Sequence, residues 1–528
     1  MDFLRSRPAR GLAQSNDGDW DPMTANSARA TPVIAAVGEL IDRPKRLAEA
    51  REPVDLMVEA LKACERDAGV RLLDGVGLLS LIGLVSWPYK DPVQLLAQKL
   101  GIAPAEAVNA SMGGETPVRL LHEAAKRIAM GEDLVAAIVG GESSHARGQA
   151  EKSGVAPPWT PAAAKDETVR FPSSRFAMSP IAKQLGVMNP AQVYPFYEVA
   201  AQAAWGQTPA EGMRESAELW ARYAAVAASN PYAWMRSAPD ADAIGTIGAD
   251  NRPINWPYPK LMVANPAVNQ SAAVIVMSLA RAREMGIAED KLVHIWGGAN
   301  AIEPEDYLHR DRYDHSTAQS AVLDKSVVIA GGDAQRIRHL ELYSCFPVVP
   351  KMALRTLGLD PALHPPTVAG GLTFFGGPLN NYMSHAIAAM VRALRADAGE
   401  LGLLYGQGGY VNKHHTLVLS TAPAPAPMAT DYSVQGVADA ARGPTPPLRE
   451  GYTGEAVIET YTVRYARDGS PVDAIIIALT PDGGRVMASA PASDTGTIGL
   501  LVSMQRTAVG VRGAIVTDAA GSPVWTPA

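Results

Sequence analysis

The chain has 528 residues, 47% hydrophobic and 19% charged, a composition that belongs to a globular protein of roughly two to four domains and excludes a disordered one. A formal net charge of −7, with no basic run and no interleaving of basic and aromatic residues, speaks against nucleic acid as a partner. Cys64 and Cys345 are the only cysteines, too few for a disulfide framework or a cysteine zinc site. No metal is expected, and the absence of a long apolar run or an apolar signal core points to a cytoplasmic protein without a membrane span.

Residues 1–30 are small, polar and charged without periodicity, and read as a disordered tail. From "TPVIAAVGELI" at Thr31 the chain alternates apolar runs with helical patterns. A helix is expected over Pro53–Ala68, with Met57, Leu61 and Cys64 on one buried stripe. A strand-like run "VRLLDGVGLLSLIG" starts at Val70, and a helix "DPVQLLAQKLG" at Asp91. Next comes "NASMGGETP", Asn109–Pro117, where Thr116 suits an N-cap and Pro117 a first helical residue. Val118, Leu121, Ala125 and Ile128 continue as a stripe up to Gly131, and "LVAAIVGG" at Leu134 reads as a strand. The alternation argues for an α/β body around a buried sheet. The glycines before Thr116 form an elbow at a helix N-terminus, whose free N–H groups and partial positive charge suit a cysteine thiolate or an oxyanion.

The segment of about 145–235 is long enough to be a lid or binding lobe. At Lys291 "KLVHIWGGANAIEP" echoes "TPVIAAVGELIDRP", which suggests two similar halves, 31–285 and 286–421. Residues 422–446, with "APAPAPMA", suit a linker. Residues 447–528, with "RDGSP" and "PDGG" between β-forming runs, read as a small barrel-like β domain.

Taken together, the elbow, "GGES" at Gly140, "NPYAW" at Asn230, "YSCFP" at Tyr343, "FGGPLNNY" at Phe375 and "YGQGGYVNKHH" at Tyr405 resemble thiolases over about residues 31–421. The resemblance is strongest to the sterol-carrier-protein branch and to acetyl-CoA acetyltransferase-type chains with an added C-terminal β domain. It implies a thiolase fold, two similar βαβαβαββ halves layered α-β-α-β-α, plus the small all-β domain. It also implies an acyl-CoA C-acyltransferase of lipid metabolism, with coenzyme A or an acyl-CoA thioester as substrate or ligand, no tightly bound cofactor, and a homodimer or monomer.

The chain departs from that pattern at each catalytic position. The place of the acyl-accepting cysteine falls on Gly114 or Gly113, beside Met112. The oxyanion-hole histidine is replaced by Gly377, and the loop Tyr405–Tyr410, with Gly408 and Gly409, has no second cysteine. Gly113 and Gly114 either make room for substrate and offer N–H donors or simply turn the chain. Cys345 is a pocket residue rather than the acyl acceptor, and Asn380 and Asn381 are pocket candidates. His385 is a catalytic candidate whose bland reading is a surface or capping residue. His414 is a pocket candidate, although the pair His414–His415 reads more simply as solvated loop. Arg147, Lys152 or Arg175 would meet the CoA phosphates. Tyr343 is the remaining acid/base candidate, provided the pocket lowers its pKa; the bland reading is a tyrosine packed at a strand end. Thiolase-like aldolases resemble this arrangement, which leaves three readings: an altered acyltransferase, a retro-aldol lyase on 3-hydroxyacyl-CoA, or a CoA-ester binding protein without catalysis.

Overall fold

A computed structural model describes residues 25–172 and 178–528. Residues 1–24 of the expected tail and Arg175 lie outside the described residues, while Ala25–Arg29 form a short helix. The body is built on β1 (Pro32–Ile41), β2 (Leu78–Leu81), β3 (Glu106–Asn109), β4 (Ala136–Ser143), the hairpin β5 (Pro253–Asn255) and β6 (Tyr258–Pro259), β7 (Asn269–Ser278), β8 (Val293–Ile302), β9 (Ile337–Leu342), β10 (Leu401–Gly408) and β11 (Lys413–Ser420).

Nine of these form one sheet in the order β3-β2-β4-β7-β1-β8-β11-β10-β9. Its seam is the short antiparallel meeting of β1 and β8 at Val33↔His294 and Ile34↔Val293. Outward from the seam, the first half runs β1, β7, β4, β2 and the second β8, β11, β10, β9. In each half the order is first, last, penultimate, second. The pairings match as well: antiparallel, antiparallel, then parallel. The echo at Lys291 therefore corresponds to two halves of like topology, and among the described residues only β3 lacks a counterpart in the second half.

Helix Pro53–Ala68 covers the outer face of the first half-sheet and helix Thr317–Ile329 that of the second. Helices Thr116–Ala129 and Tyr382–Ala396 lie between them, touching strands of both. The result is the expected α-β-α-β-α layering. Strands β4 and β7 are buried at every position, as strands covered on both faces must be. The Met57, Leu61 and Cys64 stripe is fully buried, and Gly69 ends its helix at φ 79°, a left-handed cap that glycine adopts without steric cost.

Two local expectations need correction. The run from Val70 is a strand only over Leu78–Leu81, with a turn of 3₁₀ helix at Leu73–Gly75. The cap of the elbow helix is Glu115, not Thr116, whose hydroxyl is buried without a partner among the described residues.

In the lobe, helices Pro190–Ala204 and Pro209–Ser229 each start with a capping box, Asn189/Gln192 and Thr208/Glu211. The stretch after β11 is docked on the body: Ser433 bridges Asn300, and helix Gln435–Ala441 packs on Thr317–Ile329. Strands β12 (Gly454–Tyr465), β13 (Pro471–Leu479), β14 (Arg485–Pro491), β15 (Arg512–Thr517) and β16 (Pro523–Pro527) close a five-strand barrel in the order β12-β13-β14-β16-β15 and back to β12. The β5–β6 hairpin pairs onto it at Asn255↔Arg464. Among the described residues no helix is long and apolar enough to cross a membrane.

Candidate active site

A cavity of about 700 Å³ opens where the elbow, the ends of β9 and β10, the lobe helix Pro190–Ala204 and the loop around Gly377 meet. Met112, Gly113, Gly114, Tyr343, Cys345, Gly377, Asn380, Gly408 and Gly409 all line it. Nine positions singled out in the sequence thus converge on one site. Val263, Pro266, Phe346, Leu372 and Leu379 give it an apolar wall, and the side chain of Lys413 stands on it without a hydrogen bond or ion pair among the described residues.

The elbow shows why no nucleophile stands there. A Cβ on Gly114 would lie 2.5 Å from Cζ of Tyr343, and closer still to its hydroxyl and to the Gln407 carbonyl. The phenol occupies the space a side chain at 114 would need. Tyr343 is placed by the extension of the β9 ladder, its N–H donating to the Tyr405 carbonyl at 3.1 Å. Its hydroxyl has no hydrogen-bond partner among the described residues. Burial, helped by nearby Cys345 and Glu115, raises its pKa well above the ordinary value. The condition of a lowered pKa is not met: burial keeps this phenol protonated, with a proton free to donate.

Of the backbone donors, Gly113 N–H is committed to Asn380 Oδ1 at 3.0 Å and Gly377 N–H to the Asn265 carbonyl at 2.8 Å. Gly114 N–H has no partner among the described residues. Asn380 also donates to Gly83 O at 2.7 Å, so its amide braces the elbow loop. Asn381 does not line the cavity; it donates to Gly140 O at 2.6 Å, and a Cβ on Gly140 would meet its Oδ1 at 2.5 Å. The "GGES" glycine is there to admit that side chain.

Cys345 lies 3.6 Å from Gln407 Oε1, and burial pushes its thiol up to about 12. It is not a thiolate at neutral pH. The same Gln407 oxygen accepts from Tyr194 at 2.8 Å, and Tyr194 stacks on Phe346 with centroids 4.5 Å apart.

The two histidine candidates lie elsewhere. His385 is fully buried, not a surface residue, with Nδ1 2.7 Å from Glu39 Oε1. His414 and His415 are buried in β11 rather than in a solvated loop. His414 Nδ1 accepts from or donates to Tyr405 Oη at 2.8 Å, and His415 Nε2 is 2.9 Å from His122 Nδ1. A central strand needs each polar side chain satisfied internally, and the partners are Tyr405 on the neighbouring strand β10 and His122 on the elbow helix. Arg147 is exposed, held by Glu151 and the carbonyl of the cavity residue Val85.

Sequence reasoning missed Glu115, Tyr194, Gln407 and Lys413. Glu115 and Lys413 stand inside the elbow motif and the "YGQGGYVNKHH" motif, so their place beside the glycines was the available signal.

A five-layer body of two like halves, with a glycine elbow between them, defines a thiolase-superfamily protein. Residues 434–520 match the family described as thiolase-like protein type 1 additional C-terminal domain. The crystal structure of a monomeric SCP2-thiolase like protein type 1 from Mycobacterium smegmatis is 30% identical with a TM-score of 0.79, covering 95% of this chain and 99% of that one. This chain belongs to the SCP2-thiolase-like proteins of type 1. The Ltp2-ChsH2(DUF35) aldolase shares the fold at 20% identity and TM-score 0.55, covering 74% of this chain and 98% of that one. Human mitochondrial 3-ketoacyl-CoA thiolase in complex with CoA does so at 14% and 0.53, covering 75% of this chain and 99% of that one. No sequence among curated proteins matches the chain significantly.

Proposed function

We propose that the cavity binds a CoA thioester and that the protein acts on it by proton transfer, without passing an acyl group to itself. The observation that carries this is the Tyr343 phenol standing in the side-chain space of Gly114. An acyl-enzyme needs a nucleophile at that point, and the neighbouring Cys345 is held as a neutral thiol. The protonated phenol and the unpartnered Gly114 N–H are instead suited to donate to a thioester oxygen as it becomes an enolate oxygen. That pair favours the retro-aldol reading, cleavage of a 3-hydroxyacyl-CoA, over acyl transfer. CoA in the human thiolase structure and the aldolase among the structural neighbours agree in class with this reading. Two buried free cysteines agree with a reducing compartment, the cytoplasm, and the monomeric relative favours a monomer.

The test is calorimetry with CoA and acetyl-CoA, intact mass after incubation, and a panel of 3-hydroxyacyl-CoA esters followed for aldehyde or ketone release. Binding with unchanged mass is expected. Tyr343→Phe keeps the ring packing and should lower turnover by ~10²–10⁴-fold. No binding at millimolar CoA ester, or an acyl group mapped to Cys345, overturns the reading; binding with no ester cleaved leaves a CoA-ester binding protein.

A further inference from the structure

The retro-aldol reading has a donor in Tyr343 but no acceptor, because a phenol held protonated cannot take the hydroxyl proton. Glu115 is not itself a lining residue, but its carboxyl lies directly behind two glycines that are, Gly113 and Gly408. It is 6% exposed. A Cβ on Gly113 would meet its Oε1 at 2.6 Å and its Oε2 closer still, and a Cβ on Gly408 would meet its Cδ at 2.9 Å, again with Oε2 closer. Gly406 is packed against its Cα in the same way, at 3.1 Å. The carboxyl thus fills the side-chain space of two cavity-lining residues, and one substitution at either would expel it.

The side-chain partners that hold other buried carboxyls are missing here, and what steadies the charge is its own backbone N–H and the nearby Lys413 and Arg119. Glu115 occupies the cap position of the elbow helix, yet its side chain makes no capping bond. Its Oε2 is buried without a hydrogen-bond partner, and it joins no ion pair among the described residues. An unpaired buried carboxyl is costly, and glycines at 113, 406 and 408 are what give it room. Other buried glutamates show the contrast: Glu142 accepts from the N–H groups of Val85 and Ser86 at 2.9 and 2.7 Å.

We infer that Glu115 is the proton acceptor of this site, taking the proton of the ligand's 3-hydroxyl group and returning it to the α carbon. The inference rests on the cavity being a CoA-thioester site. In the balanced step the carboxylate takes the hydroxyl proton and the Cα–Cβ bond breaks. Its electron pair enters the thioester as an enolate, whose oxygen accepts from Tyr343 and Gly114 N–H. The hydroxyl-bearing carbon leaves as a ketone or aldehyde. The enolate carbon then takes the proton from the carboxyl, which restores the carboxylate and leaves a shortened acyl-CoA. Burial raises the Glu115 pKa, opposed by the charge of Lys413, which suits a group that must both accept and return a proton.

By microscopic reversibility the same group must remove an α proton from the product ester. Acetyl-CoA in D₂O therefore serves as the probe, whatever the natural chain. Methyl-proton exchange is followed by NMR with the full-length protein, alongside calorimetric affinity. Wild type should exchange faster than buffer, and Glu115→Gln should lose at least roughly 10²-fold of that rate with affinity within about threefold. The acidic limb of the pH–rate profile should vanish with it, and Glu115→Asp should restore part of the rate. Glu115→Leu gives the same reading if the amide variant folds poorly. If wild type binds acetyl-CoA but exchanges no faster than buffer, or if Glu115→Gln exchanges like wild type, the assignment of Glu115 is overturned while the binding site stands. If wild type does not bind, the proposed function falls and this inference with it.

Discussion

A methyl group on Gly114 has nowhere to go. It would press on both the Tyr343 phenol and the Gln407 carbonyl, and a carbonyl in a strand cannot swing away as a flexible side chain can. Gly377, where the family resemblance places a histidine, is the opposite case. A Cβ there meets nothing nearer than Leu372 O at 3.4 Å, so a side chain fits. The two departures from the thiolase pattern are thus physically different, one enforced by packing and one merely permitted. Gly114→Ala should cost ~1–3 kcal/mol by overpacking, and Gly377→Ala should stay within about 0.5 kcal/mol of wild type. Urea unfolding of both reads the difference; equal midpoints would show that Tyr343 gives way easily and does not hold the elbow.

At the scale of elements, β9 is tied to what surrounds the cavity by one carboxyl. Glu341 Oε2 accepts from Thr367 Oγ1 at 2.8 Å and from the N–H groups of Val368 and Ala369 at 3.0 Å, while Oε1 accepts from Tyr382 Oη at 2.6 Å. Strand, loop and central helix meet there. Burial outweighs these bonds and raises its pKa from 4.5 to about 7. The folded state therefore holds the proton more tightly than the unfolded one, so this group's contribution is fully present below pH 4.5 and is lost as pH rises through about 7. Glu341→Gln copies the protonated carboxyl and does not titrate. Between pH 4.5 and 8 its stability relative to wild type should climb by about 3 kcal/mol, at ~1.4 kcal/mol per pKa unit; a pH-independent gap in urea midpoints would refute the shift. Elements were also the scale at which the sequence was most legible. Helix Pro53–Ala68 falls where its stripe puts it, because amphipathic periodicity is local. The strand at Leu78–Leu81 was overextended, because an apolar run buried on both faces has no period to bound it. The site was legible as far as the motifs reached, which brought nine cavity residues together. His385 and Asn381 were misplaced because their partners, Glu39 and Gly140, are set by tertiary packing alone, and His414 because β11 already begins at Lys413, which sets its ring beside Tyr405 of the hairpin partner β10.

For the whole molecule, the barrel is a buttress of the cavity rather than an appendage. Thr460 of β12 donates to the Phe196 carbonyl at 2.6 Å and Thr462 to that of Trp256 at 2.8 Å. The first of these holds the lobe helix whose Asn189, Pro190, Ala191 and Tyr194 line the cavity. Arg485 of β14 secures the other side. Its side chain is wholly buried, paired with Glu459 at 2.6 Å and donating to Leu308 O at 2.8 Å and to Arg310 O, with Tyr313 beneath it at 4.9 Å. Arg485→Met keeps much of the volume but leaves a carboxylate and two carbonyls without their donor. Removing one partner of a buried charge pair costs ~3–5 kcal/mol, so the variant should melt well below wild type. Because the barrel holds the lobe, its affinity for CoA esters should fall as well, although Arg485 is not a cavity residue. Calorimetry on wild type should show a single cooperative transition shared by body and barrel. Two separate transitions in wild type, or an Arg485→Met variant that loses stability yet binds acetyl-CoA unchanged, would show that the barrel folds beside the site without supporting it.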